Sequence, residues 1–328
     1  MKIKIGEFKR LMKTALTSKY YSEEEADKIT DVFLFAELSG KNTQGILKLL
    51  GSEPAQDIKP KYAPRFIKET ELSSLLDGGG AAGPLPSQIA TDKVVEIAKK
   101  KGFGIVGVNN TFSSIGAIGY YARKIAQNDL IGIVAASSPR AVVQFGGLDP
   151  VYGTNPLAFG FPTSDYPITF DMAASAITWY GLVRAKALGQ KLPDNVAIDT
   201  EGNITTDANK AMEKVAILPF DRSYKGSGLA MVVEILAGPL VGASYVHDNG
   251  DWGTLFIAIS PDLLISTKEF KGHSSDLIKK VKSSRIKPGN SIHIPGYDTE
   301  KKVEELLKSG EVDIEERIVN QLKEKTGL

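Results

Sequence analysis

Residues 102–107 read GFGIVG, a glycine pattern of the form GxGxxG, and its setting decides the fold. A dinucleotide fingerprint of that form follows a strand and opens a helix, so that the helix N-terminus faces the pyrophosphate. Here the order is inverted. PSQIATDKVVEIAKKKG (86–102) has a helical pattern and ends on Gly102, a residue suited to a left-handed C-terminal cap. FGIVGV (103–108) then reads as a short buried strand. The glycines mark a helix end running into a strand, so a dinucleotide would have to bind without this turn. A second candidate, SGKNTQGILKLLG (39–51), fails as a phosphate loop. That motif needs four residues between its first glycine and the Gly-Lys pair, and it joins a strand to a helix. Here a helix precedes Gly40, and Thr43 stands two residues beyond Lys41.

Outward from this point the chain alternates helices and strands. Residues 5–16 place Phe8, Leu11, Met12 and Leu16 on one helical face. Ser22 with Glu25 three residues later forms a capping box and predicts a helix over 23–38. KYAPRFIKETELSS (61–74) reads as a connector, and LLDGGGAAGPLP (75–86) as a glycine-rich turn, so a domain boundary is expected near residue 70. Further helices are expected over 114–128, 174–189 and 226–238, and strands over 130–138, 155–161, 166–172 and 254–261. The tail from 299 reads as two polar-faced helices that return to pack on the N-terminal ones.

Composition narrows the function. With 40 Lys+Arg against 39 Asp+Glu and no long like-charge run, nothing points to nucleic acid or an anionic membrane. The chain has no cysteine, which excludes disulfides, thiolate metal sites and cysteine nucleophiles. The first residues lack the apolar core of a signal peptide, and the most apolar run, 228–243, is broken by Glu234 and Pro239. A cytoplasmic protein is expected. His247, His273 and His293 read as isolated, with neither a carboxylate nor a second histidine at ligand spacing, so no metal site is expected. Lys225 and Gly226 precede an apolar helix. A cation and a glycine before free N–H groups favour an anion, although a solvated lysine would look the same. Asp171 ends a strand in TFDMAASA (169–176), where it serves either as a helix cap or as a site carboxylate.

Several ordered segments resemble the malate/L-lactate dehydrogenase type 2 family, which also holds sulfolactate, ureidoglycolate and diketogulonate oxidoreductases and ketimine-acid reductases. They include GTNPLAFGFPT (153–163), FDMAASA (170–176), LPDNVAIDTEGNITTD (192–207), YKGSGLAMVVEILAGPLVGA (224–243), KSSRIKPG (282–289) and IPG (294–296). The resemblance implies an α/β fold whose NAD(P)-binding domain has a mixed sheet and is not Rossmann-like. It implies a helical domain of residues 1–70 joined by helices of 297–328, a binding and dimerisation domain of 71–296, and an intertwined homodimer. NAD or NADP would be held by Ser138, Thr154, Asp171, Met172, Ala173, Ser175, Lys225, Gly226, Pro295 and Gly296.

The resemblance also interprets residues 39–48. The family segment runs Arg-Gly-x-Asp-Ser-His-Gly-Val-x-Arg, with the histidine a proton donor and the last arginine gripping the substrate carboxylate. Those two positions are Gln44 and Lys48 here. A second family histidine, after the first strand of the large domain, falls on Ser114, counted back from Gly116. Gln44, Lys48, Ser114 and Asp171 are therefore the expected catalytic set. Glutamine hydrogen-bonds a carbonyl but supplies no acidic proton. Lysine neutralises a carboxylate as a point charge rather than as a fork. The implied activity is reduction of a small 2-oxo acid or oxidation of the 2-hydroxy acid. A protonated cyclic imine already carries its proton, which keeps an imino-acid reductase open, as does a non-catalytic NAD(P)-binding homologue.

Overall fold

The computed structural model describes residues 1–50, 54–248 and 250–326. Gly51, which ends the 39–51 stretch, and Gly327 and Leu328 of the tail lie outside them. Strand β1 (Lys2–Lys4) leads into α1 (Ile5–Thr17), which buries Phe8, Leu11, Met12 and Leu16 as their spacing predicts. Helix α2 (Glu23–Leu38) starts at the expected capping box. The Glu25 N–H donates to Ser22 Oγ and the Ser22 N–H returns to Glu25 Oε2. Two short 3-10 turns follow, Asn42–Gln44 and Ile46–Leu49.

The next elements are β2 (Arg65–Glu69), β3 (Ser73–Asp77), α3 (Pro84–Lys101), β4 (Phe103–Thr111), α4 (Gly119–Ala126) and β5 (Ile131–Ala136). Small β6 (Val142–Val143) and β7 (Pro150–Tyr152) pair with each other, and β8 (Leu157–Phe161) and β9 (Ile168–Met172) form a hairpin. Helices α5 (Trp179–Ala187), α6 (Ala208–Lys214) and α7 (Tyr224–Ala237) precede β10 (Trp252–Ile259). The chain closes with α8 (Thr267–Lys282), α9 (Tyr297–Ser309), β11 (Glu311–Asp313) and α10 (Glu316–Thr326).

Seven strands form one mixed sheet in the order β2-β3-β4-β10-β5-β8-β9, in which only β3 and β4 run parallel. Gly102 caps α3 at φ +81°, a left-handed conformation that costs glycine nothing, and the chain turns directly into β4. Alternate residues of β10 serve two cores. Phe256 and Ala258 meet α3 and α4, whereas Leu255 and Ile257 pack with Leu236 of α7 and with Val241. The chain ends meet: β1 pairs antiparallel with β11, and Val319 and Leu322 of α10 join Phe8 and Met12 in one buried cluster.

Four expectations need correction. The segment 61–74 is not a connector, because it contains β2 and the start of β3. β2 is an edge strand carrying Arg65, Lys68 and Glu69, so the period-two apolar signal is absent. The helices expected from 114 and 174 begin only at Gly119 and Trp179, leaving both lead-in segments as loops. Asp171 lies in β9 and does not cap the helix that follows it; Thr178 caps α5, accepting from the Gly181 N–H. Lys225 and Gly226 lie inside the first turn of α7 rather than before it. The span Tyr224–Val241 is long and apolar enough to cross a membrane by length and composition. Its Glu234, however, is buried and accepts from Asn155 Nδ2 at 2.6 Å and from the Val246 N–H at 2.9 Å, which ties α7 to the sheet's connections.

Candidate active site

A cleft of about 680 Å³ opens between the 3-10 turns after α2, the loops after β4 and β5, the end of β9 and the start of α5. Its first wall depends on Glu37, near the end of α2. Glu37 Oε1 accepts the Ile46 N–H at 2.7 Å. A Cβ on Gly45 would fall 2.2 Å from that oxygen, so only glycine lets the chain cross the carboxylate. Burial pushes the Glu37 carboxyl up to about 7, against the opposing pull of the Ile46 N–H. Pinned there, the chain presents Gln44 and Lys48 to the cleft from either side of Gly45.

All four of the expected catalytic side chains meet partners in the cleft. Gln44 Oε1 lies 3.4 Å from Ser114 Oγ, a hydroxyl that also accepts the Gly116 N–H. Lys48 is only 8% exposed, and its ammonium sits 3.9 Å from the centre of the Tyr180 ring in α5. Asp171 Oδ2 accepts from Lys41 Nζ and, at 3.1 Å, from the Gly119 N–H that opens α4. Lys41 was not among the expected site residues. Its partner lies 130 positions away, so no local spacing betrays the pair.

The rest of the lining is mixed. Ser138 Oγ accepts the Thr154 N–H at 3.0 Å and lies 3.4 Å from its hydroxyl. Met172, Ala173 and Trp179 supply apolar surface. Arg140 reaches the cleft paired with Asp248. Among the described lining residues, three cations, Lys41, Lys48 and Arg140, stand with two carboxylates, Asp171 and Asp248.

Five expected coenzyme residues do not line this cleft. Ser175 is buried and donates to Ile177 O ahead of α5. Lys225 is exposed, and the Gly226 N–H donates to Asp221 Oδ1 at 3.0 Å. Asp221 also accepts the Ser223 hydroxyl and N–H, and these donors, Ser223 first, hold its carboxyl below the usual range. In the first turn of α7 the Gly226 N–H therefore already faces an anion belonging to the chain, and the Lys225 N–H is taken by Ser223 Oγ. Pro295 O accepts the Thr169 N–H, and Gly296 starts α9 at φ +79° against the backbone of Thr169. One histidine is less isolated than its sequence reads: His293 Nδ1 lies 2.9 Å from Asp298. The ring nitrogens of His247 are buried and meet no hydrogen-bond partner among the described residues. None of the three lines the cleft.

The fold is that of solved dehydrogenases. Sulfolactate dehydrogenase from Methanocaldococcus jannaschii superposes with a TM-score of 0.88 at 31% identity, over 100% of this chain and 98% of that one. Malate dehydrogenase from Entamoeba histolytica superposes with a TM-score of 0.92 at 26% identity, over 100% and 97%. The L-sulfolactate dehydrogenase of Methanothermobacter thermautotrophicus is 33% identical over 98% of this chain and 95% of its own. Residues 3–323 match the family profile described as malate/L-lactate dehydrogenase, and the chain belongs to that family of oxidoreductases.

Proposed function

We propose that the protein transfers a hydride between NAD or NADP and a small 2-oxo/2-hydroxy acid bound in this cleft. The observation that carries it is the cleft itself: a buried lysine, Lys48, beside the Gln44–Ser114 pair, with Asp171 opposite on β9. The cleft chemistry fits a nicotinamide. Met172, Ala173 and Trp179 offer an apolar surface for a ring, while Ser138 and Thr154 offer hydroxyls to its amide. When bound, the reduced coenzyme supplies the hydride. Lys48 neutralises the substrate carboxylate, Gln44 donates through its amide to the substrate carbonyl, and Asp171 orients the reacting end. Ser175, Lys225, Gly226, Pro295 and Gly296 stay in the coenzyme set as the more distant part of a site that extends beyond the cleft.

An imino-acid substrate is the second reading. The absence of histidine from the cleft lining favours it, since a protonated imine needs no acid. A relative 28% identical over 80% of this chain, from Pseudomonas aeruginosa, is a Δ1-pyrroline-2-carboxylate/Δ1-piperideine-2-carboxylate reductase. Following NADH or NADPH oxidation with pyruvate, oxaloacetate and piperideine-2-carboxylate separates the two. Turnover of an oxo acid supports the first reading, turnover of the cyclic imine alone supports the second, and no turnover across the panel sinks both.

The same proposal divides the chain into a helical domain of 1–70 joined by 297–328 and a binding domain of 71–296, with β2 (Arg65–Glu69) of the first span crossing over to pair with β3 in the sheet of the second, in a cytoplasmic homodimer. The outward face of α7 supports the dimer: Met231, Val232 and Ile235 are each about half exposed, an apolar stripe that a second copy would cover.

A further inference from the structure

We propose that Lys41 is the proton donor to the new hydroxyl, held in place by Asp171. This deepens the proposed reaction and rests on it. Reducing a carbonyl needs a proton as well as a hydride, and neither Gln44 nor Ser114 is an acid suited to the task. Among the described lining residues, the basic groups are Lys41, Lys48 and Arg140. A guanidinium does not release its proton, and Arg140 is already closed on Asp248. Lys48 is 8% exposed and stacked on Tyr180, an arrangement suited to holding a charge rather than exchanging a proton with water. The Lys41 side chain is 35% exposed, so its amine can be reprotonated from solvent after each turnover.

Lys41 is also oriented. Asp171 Oδ2 is fixed by the Gly119 N–H and takes one N–H of the ammonium, leaving the others for a substrate oxygen. A carboxylate that positions an acid is the arrangement catalytic sites use for histidine, here built on an amine. Lys41 and Gln44 share one turn, since the Gln44 N–H donates to Lys41 O at 2.8 Å. A hydride from the reduced nicotinamide reaches the carbonyl carbon as the coenzyme is oxidised and the acid reduced. The carbon–oxygen π pair moves onto oxygen, one N–H bond of Lys41 breaks and an O–H bond forms. The neutral amine then takes a proton from water.

Lys41→Arg keeps the charge and the pairing but loses the transferable proton. The substitution should leave KM and calorimetric binding of oxamate, an inert 2-oxo acid mimic, in the presence of NADH close to wild type. It should lower kcat by ~10²–10⁴-fold. Lys41→Gln should lose kcat to the same extent and give a second folded variant for comparison. Wild-type kcat in Lys41→Arg overturns the assignment while leaving the proposed function intact. Failure of the wild type both to bind oxamate and to turn over any oxo acid would instead remove the proposed function, and the role of Lys41 with it.

Discussion

At the scale of single residues, two lysines on neighbouring turns line the cleft, Lys41 and Lys48, and the proposed reaction would divide its work between them. Lys48→Met should raise KM for the acid by ~10–100-fold, the weight of one hydrogen bond to a charged group, with a smaller effect on kcat. Steady-state kinetics at fixed coenzyme would check it. Gln44→His offers a complementary test. Introduced into Lys41→Gln, it should recover part of the lost kcat and bring an inflection near pH ~6.5, where imidazole titrates. Gln44, Lys48, Ser114 and Asp171 were legible in the sequence because each sits in a short ordered motif. Lys41 was not, because its meaning depends on a contact made 130 positions away. Lys225 and Gly226 read as an anion site because a cation and a glycine stand at the start of an apolar helix; the fold brings Asp221 to the N–H group of Gly226. A helix terminus read from sequence shows the donors but not which acceptor the fold will bring to them.

At the scale of elements, the capping box and the C-terminal glycine were plain to read, because both act within a few residues. Ser22→Ala should cost about 1 kcal/mol of stability, measurable by urea unfolding. Strand β2 was missed because an edge strand with three charged residues carries little period-two signal. The late starts of α4 and α5 were missed because tertiary contacts around the cleft hold residues 114–118 and 174–178 out of helix. Glu37 shows what such an anchor costs. Burial raises its carboxyl to about 7 from an ordinary value of 4.5, so the folded chain binds the proton more tightly than the unfolded one. The group's contribution is therefore full below the unfolded value and declines as pH rises towards 7, by on the order of 3 kcal/mol in all. Glu37→Gln keeps an acceptor for the Ile46 N–H and cannot ionise. Relative to wild type, it should gain stability across that window and hold a constant difference at lower pH, a comparison that chemical unfolding at several pH values would make.

At the scale of the whole molecule, the α/β class was legible in the alternation of helices and strands, and the mixed sheet in the family resemblance; the inverted order of helix, glycine and strand around Gly102 excluded only the fingerprint turn. The strand order was not legible, since β10 inserts between β4 and β5 from more than a hundred residues downstream. Truncation after Ile314 would remove Val319 and Leu322, both fully buried against the N-terminal helices. At about 1.5–3 kcal/mol per buried side chain, that loss alone approaches the net stability of a domain. The shortened chain should melt well below the full one in a calorimetric scan. If the α7 stripe joins two copies, sedimentation should give twice the chain mass of 35.3 kDa, and Ile235→Asp should return it to one.

The β1–β11 pairing has a consequence for biosynthesis. Ile3 finds its partner only in Val312, so the first strand leaves the ribosome long before anything exists for it to pair with. At ~5–20 residues per second, the wait lasts roughly 15–60 s. For that interval the apolar face of α1 lacks the cover that Val319 and Leu322 later supply.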